Sequence, residues 1–248
     1  MPPTAPTPQR SSLAERLLIV PAAHTRLGDV SFQVEMYELF HRTPAARIGH
    51  MLGTPTILLG ALTLASLAPG AAAPLLAVAL ALGVAVWGMA IDRLVGLVTA
   101  IAAAALDGGA FALSHRVGPE TALVVALACL FGGCTVQTFS HVFEDVPPPL
   151  SGSAGFVQPV AWARRLHARD AVRAAALTLG VFYWLEMWSA FRILPLQILH
   201  LLLQAGHRPA LRRALEARVA AILAAPASDW KRPAALSATA GRGQGAVP

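Results

Sequence analysis

Two groups of residues carry the chemistry that this chain can offer. The first is the pair His41 and His50, nine residues apart in His41-Arg-Thr-Pro-Ala-Ala-Arg-Ile-Gly-His50. The second is Gln137, His141 and Glu144, spaced i, i+4 and i+7, so that they share one face of a helix. Together they bring three imidazoles and a carboxylate. Neutral imidazoles suit iron, zinc, copper or nickel, whereas a hard oxygen-ligand site would use more carboxylates. Glu144 fits either as a direct ligand or as the partner that fixes an imidazole's tautomer. A second reading of the same residues is plainer: histidines at a membrane interface that cap helices and touch headgroups.

For the first reading to hold, His41 and His50 must face each other, and a single helix forbids it. Nine residues rotate an α-helix by about 900°, which leaves the two rings on opposite faces. Pro44 resolves the conflict. It lacks an N–H, and its ring would clash with the carbonyl of Phe40. The spacing therefore predicts one helix ending at His41 and a second opening with Thr43 as N-cap and Pro44 as first residue. The preceding helix, Ser31 to Phe40, carries Phe32, Met36, Leu39 and Phe40 at helical spacing, with Glu35 and Glu38 on other faces.

Of the 248 residues, 56% are hydrophobic and only 13% charged, and the mean hydropathy is +0.59. Soluble domains run near 25% charged, so this composition marks an integral membrane protein. Four apolar stretches, about 50–68, 74–91, 94–114 and 120–140, each approach the length that crosses a ~30 Å hydrocarbon core. Short links between them predict antiparallel neighbours. Residues 174–190 are apolar but contain Glu186, and Arg192 and Pro195 interrupt the run before Ile198–Leu203. That region reads either as a re-entrant or interfacial hairpin or as a fifth and sixth span. Residues 208–223 form a basic amphipathic helix at the surface. The fold class expected is all-α: a polytopic membrane bundle of four core spans plus a C-terminal hairpin or interfacial helices. The membrane domain covers 31–223, flanked by Pro/Thr/Ser-rich residues 1–30, with one short amphipathic piece, and by the Ala/Gly/Pro/Ser tail 224–248. Both flanks are expected to be largely disordered.

The net charge of +6 does not imply nucleic acid. The cations are almost all Arg, spread over loops and tails, with no nucleic-acid-binding motif beside them. They instead set topology. Arg10, Arg16, Arg26, Arg42 and Arg47 precede the first span, Arg93 follows the second, and Arg164, Arg165, Arg169 and Arg173 follow the fourth. Positive charge on the inner side places the N-terminus in the cytoplasm, with Arg116 the exception. After four crossings, His41, His50 and His141 come out on the same side. No apolar secretory signal core occupies Met1–Arg10, so a bacterial inner membrane and an endoplasmic reticulum fit equally. Cys129 and Cys134 read as small buried thiols in a span.

His41-x8-His50 followed by Gly53-x-Pro55, a later Gln137-x3-His141-x2-Glu144, and then Pro148-Pro-Leu150 resembles the Mpo1-like family (DUF962). The likeness runs over about residues 31–220 and includes Gly206-His-Arg-Pro-Ala-Leu211. It implies an iron(II)-dependent dioxygenase that shortens 2-hydroxy fatty acids by one carbon. By position, His41, His50 and His141 match the family histidines taken to bind Fe2+, and Glu144 matches a nearby acidic position with a catalytic role. The implied partner is a membrane lipid or 2-hydroxy fatty acid, whose carboxylate Arg42 or Arg47 is placed to meet. Two departures stand out: Ala46 occupies a position where the family often has Asn, and the His141-to-Glu144 spacing is one residue shorter than in some members. A non-catalytic membrane scaffold or lipid-binding protein keeping the family fold is the alternative. The sequence leaves the oligomeric state open.

Overall fold

A computed structural model describes residues 30–70, 72–143 and 170–224. The expectations for the two flanks, for the loop after the fourth span and for Glu144 lie outside the described residues. The chain is all-α, with no strand among the described residues. In order come α1 (Val30–Phe40), α2 (Pro44–Ser66), α3 (Ala72–Ile91), α4 (Arg93–Val117), α5 (Pro119–Ser140), a 3-10 turn (His141–Phe143), α6 (Ala171–Gln204) and α7 (Pro209–Ala224).

Four of these, α2 to α5, are long and apolar enough to cross a membrane. Only α2 is central: 61% of its apolar window is buried, against 22% to 28% for the other three. The rest present Leu76, Leu82, Val86, Leu97, Ile101 and Phe131 outward, as lipid-facing surfaces do.

The links are as short as expected, and each has a local cause. Asp92 separates α3 from α4 and caps α4, its carboxylate accepting from the backbone N–H of Leu94 and Val95. Gly118, at φ +77°, makes the α4–α5 corner in a backbone region that suits glycine, and Pro119 opens α5. The ends differ from the sequence reading by a few residues: α2 stops at Ser66, α4 runs on to Val117, and α3 begins at Ala72, taking Pro74 into its first turn, where a missing N–H costs nothing.

Two amphipathic elements finish the molecule. The face of α1 formed by Phe32, Met36, Leu39 and Phe40 packs on Val219, Ile222 and Leu223 of α7. The predicted interruption at Arg192 and Pro195 does not occur, because α6 runs unbroken through both. In a helical membrane bundle, neighbouring side chains can satisfy the backbone groups that a proline frees. Pro195 frees the carbonyl of Phe191, and the indole N–H of Trp87 donates to the next carbonyl along, that of Arg192, at 3.3 Å.

Candidate metal centre

The corner expected at Thr43–Pro44 is present. Thr43 is extended, and its hydroxyl accepts from the N–H of Ala46, with Pro44 as first helical residue. This turns α2 against α1 and brings the ring of His50 to a centroid distance of 4.2 Å from that of His41.

His141 follows directly on α5, which packs against α2 more closely than any other described helix does. The reason is in the small residues. A Cβ on Gly49 would fall 2.1 Å from Ser140 Cβ, and one on Gly53 would fall 2.7 Å from the carbonyl oxygen of Gly133. Gly60 meets the Ala126 carbonyl in the same way. Gly49-x3-Gly53 is thus a close-approach face, the small-x3-small spacing that lets two membrane helices touch backbone to backbone. His50, next to Gly49, is carried to His141 by that contact.

The result is a compact cluster. His50 and His141 lie 4.7 Å apart between ring centroids, and His41 and His141 lie 4.9 Å apart. One nitrogen from each ring lies within 4.8 Å of the other two. His41 and His50 are 6% and 1% exposed, so water does not reach them freely.

The protonation pattern suits a metal. The Nδ1–H of His41 donates to the Tyr37 carbonyl at 2.7 Å, which leaves a lone pair on Nε2. That Nε2 is buried and has no hydrogen-bond partner. Tyr37 also stacks on the His41 ring at 4.3 Å. Burial, then the neighbouring His141, holds His41 down to about 3, despite the bond to the Tyr37 carbonyl. Burial likewise holds His141 down to about 4, with the Phe40 carbonyl opposing. Nε2 of His50 and Nε2 of His141 face each other at 2.7 Å. Two nitrogens on one ion at about 2.1 Å each stand roughly 3 Å apart, so a small opening would admit it. Three convergent neutral nitrogens, one of them orphaned, fit a first-row transition ion.

The surrounding polar residues sort themselves. Arg47 donates through Nε to the His41 carbonyl at 2.6 Å and lies 3.7 Å from Glu38, so it holds the His41 corner. Arg42 is exposed beside His41. Glu38 accepts from Nδ1 of His200 at 2.7 Å, which ties α6 to α1 and keeps His200 outside the cluster. His115 lies exposed at the opposite end of the bundle, as its place in the sequence implied. Ala46 is wholly buried against α5, where the Ser140 hydroxyl approaches its carbonyl at 3.5 Å. Gln137, expected to face inward, is 1% exposed. Its partner Glu186 on α6 was noted in the sequence only as an oddity in an apolar run, and Gln197 was not singled out at all. The spacing of Gly49 and Gly53 was the sequence signal for the helix pair that assembles the site.

No family model, no curated protein and no solved structure matches the chain.

Proposed function

We propose that the protein is a membrane-embedded, non-haem iron(II) dioxygenase of the Mpo1-like kind, acting on a 2-hydroxy fatty acid. The observation that supports this most is the buried cluster itself, built from His41, His50 and His141, the residues on which the resemblance rests. Overall, the acid and one O2 give the one-carbon-shorter acid, CO2 and water; the C1–C2 bond breaks, and O2 takes up the four electrons released. Bound ferrous ion supplies the means of reacting O2 with a closed-shell acid and a site that a carboxylate and a hydroxyl can chelate.

The chain's own residues bind and orient. The Tyr37 carbonyl fixes the His41 tautomer, and Arg47 fixes its backbone. We assign the substrate carboxylate to Arg42, exposed beside the cluster, since Arg47 is engaged with Glu38. Ile48, Leu52, Phe139 and Phe143 flank the histidines and face outward, giving an acyl chain an apolar path from the bilayer. The role expected of Glu144 is tested by Glu144→Gln. The arginine bias supports a cytoplasmic N-terminus and cluster, in a bacterial inner membrane or an endoplasmic reticulum.

One observation favours a second reading. A metal-ligating histidine almost always donates its other N–H to a partner, yet Nδ1 of His50 is buried without one. With Ala46 in place of Asn, this fits a scaffold or lipid-binding protein that keeps the fold without the chemistry. The deciding assay is O2 uptake by the iron(II)-loaded protein in detergent. The proposal expects consumption with a 2-hydroxy fatty acid, a matching yield of the acid one carbon shorter, and none with the unsubstituted acid. An iron-bound protein that consumes no O2 with any 2-hydroxy acid would leave the scaffold standing.

A further inference from the structure

One helical turn deeper in the membrane than the histidines lies a second layer of polar side chains. Thr54 follows His50 by four residues on α2, and Gln137 precedes His141 by four on α5. The Thr54 hydroxyl donates to Oε1 of Gln137 at 3.1 Å. Nε2 of Gln137 donates to Oε2 of Glu186 at 2.9 Å, and Nε2 of Gln197 donates to Oγ1 of Thr54 at 3.0 Å. All four residues are buried, at 5% exposure or less.

The chain of bonds has a direction. The carboxylate oxygen facing Gln137 accepts, so it fixes the amide nitrogen end and turns the amide oxygen toward α2. Gln197 fills an acceptor position of the Thr54 hydroxyl, so the hydroxyl proton points at Gln137. Glu186 and Gln197 both belong to α6, which brings no histidine to the cluster. The same helix reaches the third histidine at the rim, through His200, Glu38 and Arg47 to the His41 carbonyl. Polar groups in a membrane interior are costly, and apolar side chains would fill this layer at no such cost.

We infer that Glu186 is a positioning residue: acting through Gln137 and Thr54, it sets the separation of His50 and His141, and α6 is the brace of a metal centre to which it gives no ligand. The inference rests on the metal-centre reading of the histidine cluster.

The test is cobalt(II) titration of the full-length protein in detergent, read by visible ligand-field bands, beside the thermal midpoint of the metal-free protein. Glu186→Leu and the near-isosteric Thr54→Val are expected to weaken cobalt binding by about ten- to a hundredfold and to shift the bands. Glu186→Gln keeps an oxygen that accepts from Gln137 and is expected to restore both. Three results would overturn the inference. One is unchanged affinity and bands in folded Glu186→Leu and Thr54→Val, even with a lowered midpoint, which would make the layer merely structural. Another is a loss in Glu186→Gln as large as in Glu186→Leu, which would assign the effect to charge. The third, wild type that binds no cobalt, would remove the metal-centre reading itself. If Glu186→Leu does not fold, Thr54→Val is read on the same terms.

Discussion

The histidines differ in what holds them, and that difference has a pH consequence. His41 and His141 sit outside the spans, yet burial holds their imidazoles down to about 3 and about 4. In the unfolded chain both titrate near 6.5. Because the folded values are depressed, the unfolded state binds the extra protons. Their contribution to stability is full above about pH 6.5 and is lost as pH falls from there toward 4. The metal-free protein should therefore show a thermal midpoint in detergent that is level from pH 8 to 7 and declines below 6.5. The slope is at most about 1.4 kcal/mol per pH unit for each ring. A flat profile down to pH 4.5 would mean that the rings are solvated. At this scale the sequence was legible for the histidines, since Pro44 forces a corner and the Gln137–His141 spacing aligns a face. It offered Arg47 to a substrate carboxylate alongside Arg42, although the same guanidinium can meet a backbone carbonyl with equal chemistry. Only the fold of α1 against α2 decides that its Nε goes to His41.

At the scale of elements, the site depends on how closely α2 and α5 approach. An alanine in a helix interior gains up to about 1 kcal/mol over glycine when its Cβ has room. Gly132 has that room, whereas Gly53 faces the Gly133 carbonyl at 2.7 Å. Gly53→Ala should therefore destabilise by about 1–3 kcal/mol through overpacking and should weaken metal binding, because the strain is relieved by moving His50 from His141. Gly132→Ala should be neutral or mildly stabilising and bind metal as wild type does. Equal behaviour of the two variants in thermal melts and metal titrations would contradict the close-approach account. The Gly49-x3-Gly53 spacing stood in the sequence, but its partner did not: which helix lies against it is a property of pairs. The continuity of α6 was hidden for a related reason. Proline breaks a helix in isolation and an arginine interrupts an apolar run, but here the Arg192 guanidinium donates to Gln33 on α1 at 2.9 Å and Trp87 on α3 donates to the Arg192 carbonyl beside the proline.

At the scale of the whole molecule, an even number of spans separates His50 from His141 in the ordering of the chain, and the bundle returns them to one end. The four spans were readable from length and hydropathy alone, within a few residues of their ends. Their orientation is testable with single cysteines in a background lacking Cys129 and Cys134. Arg93→Cys and Gly70→Cys should be labelled by an impermeant maleimide from opposite sides of sealed vesicles, with Arg93→Cys on the cytoplasmic side. Labelling of both from one side would contradict the four-span order. The same end of the bundle is fastened by Asp92, which caps α4 while pairing with Arg208 at 2.7 Å at the entrance to α7. Asp92→Ala should lower stability by about 0.5–2 kcal/mol through the lost cap alone.

If His41, His50 and His141 together hold one metal ion, removing any one of them should release it. The most direct measurement is the metal content of anaerobically purified, iron(II)-reconstituted protein, beside His50→Ala and His141→Ala of equal folded yield. About one iron per chain is expected in the wild type and almost none in either variant. Wild type without iron, or iron that persists in both variants, would contradict it.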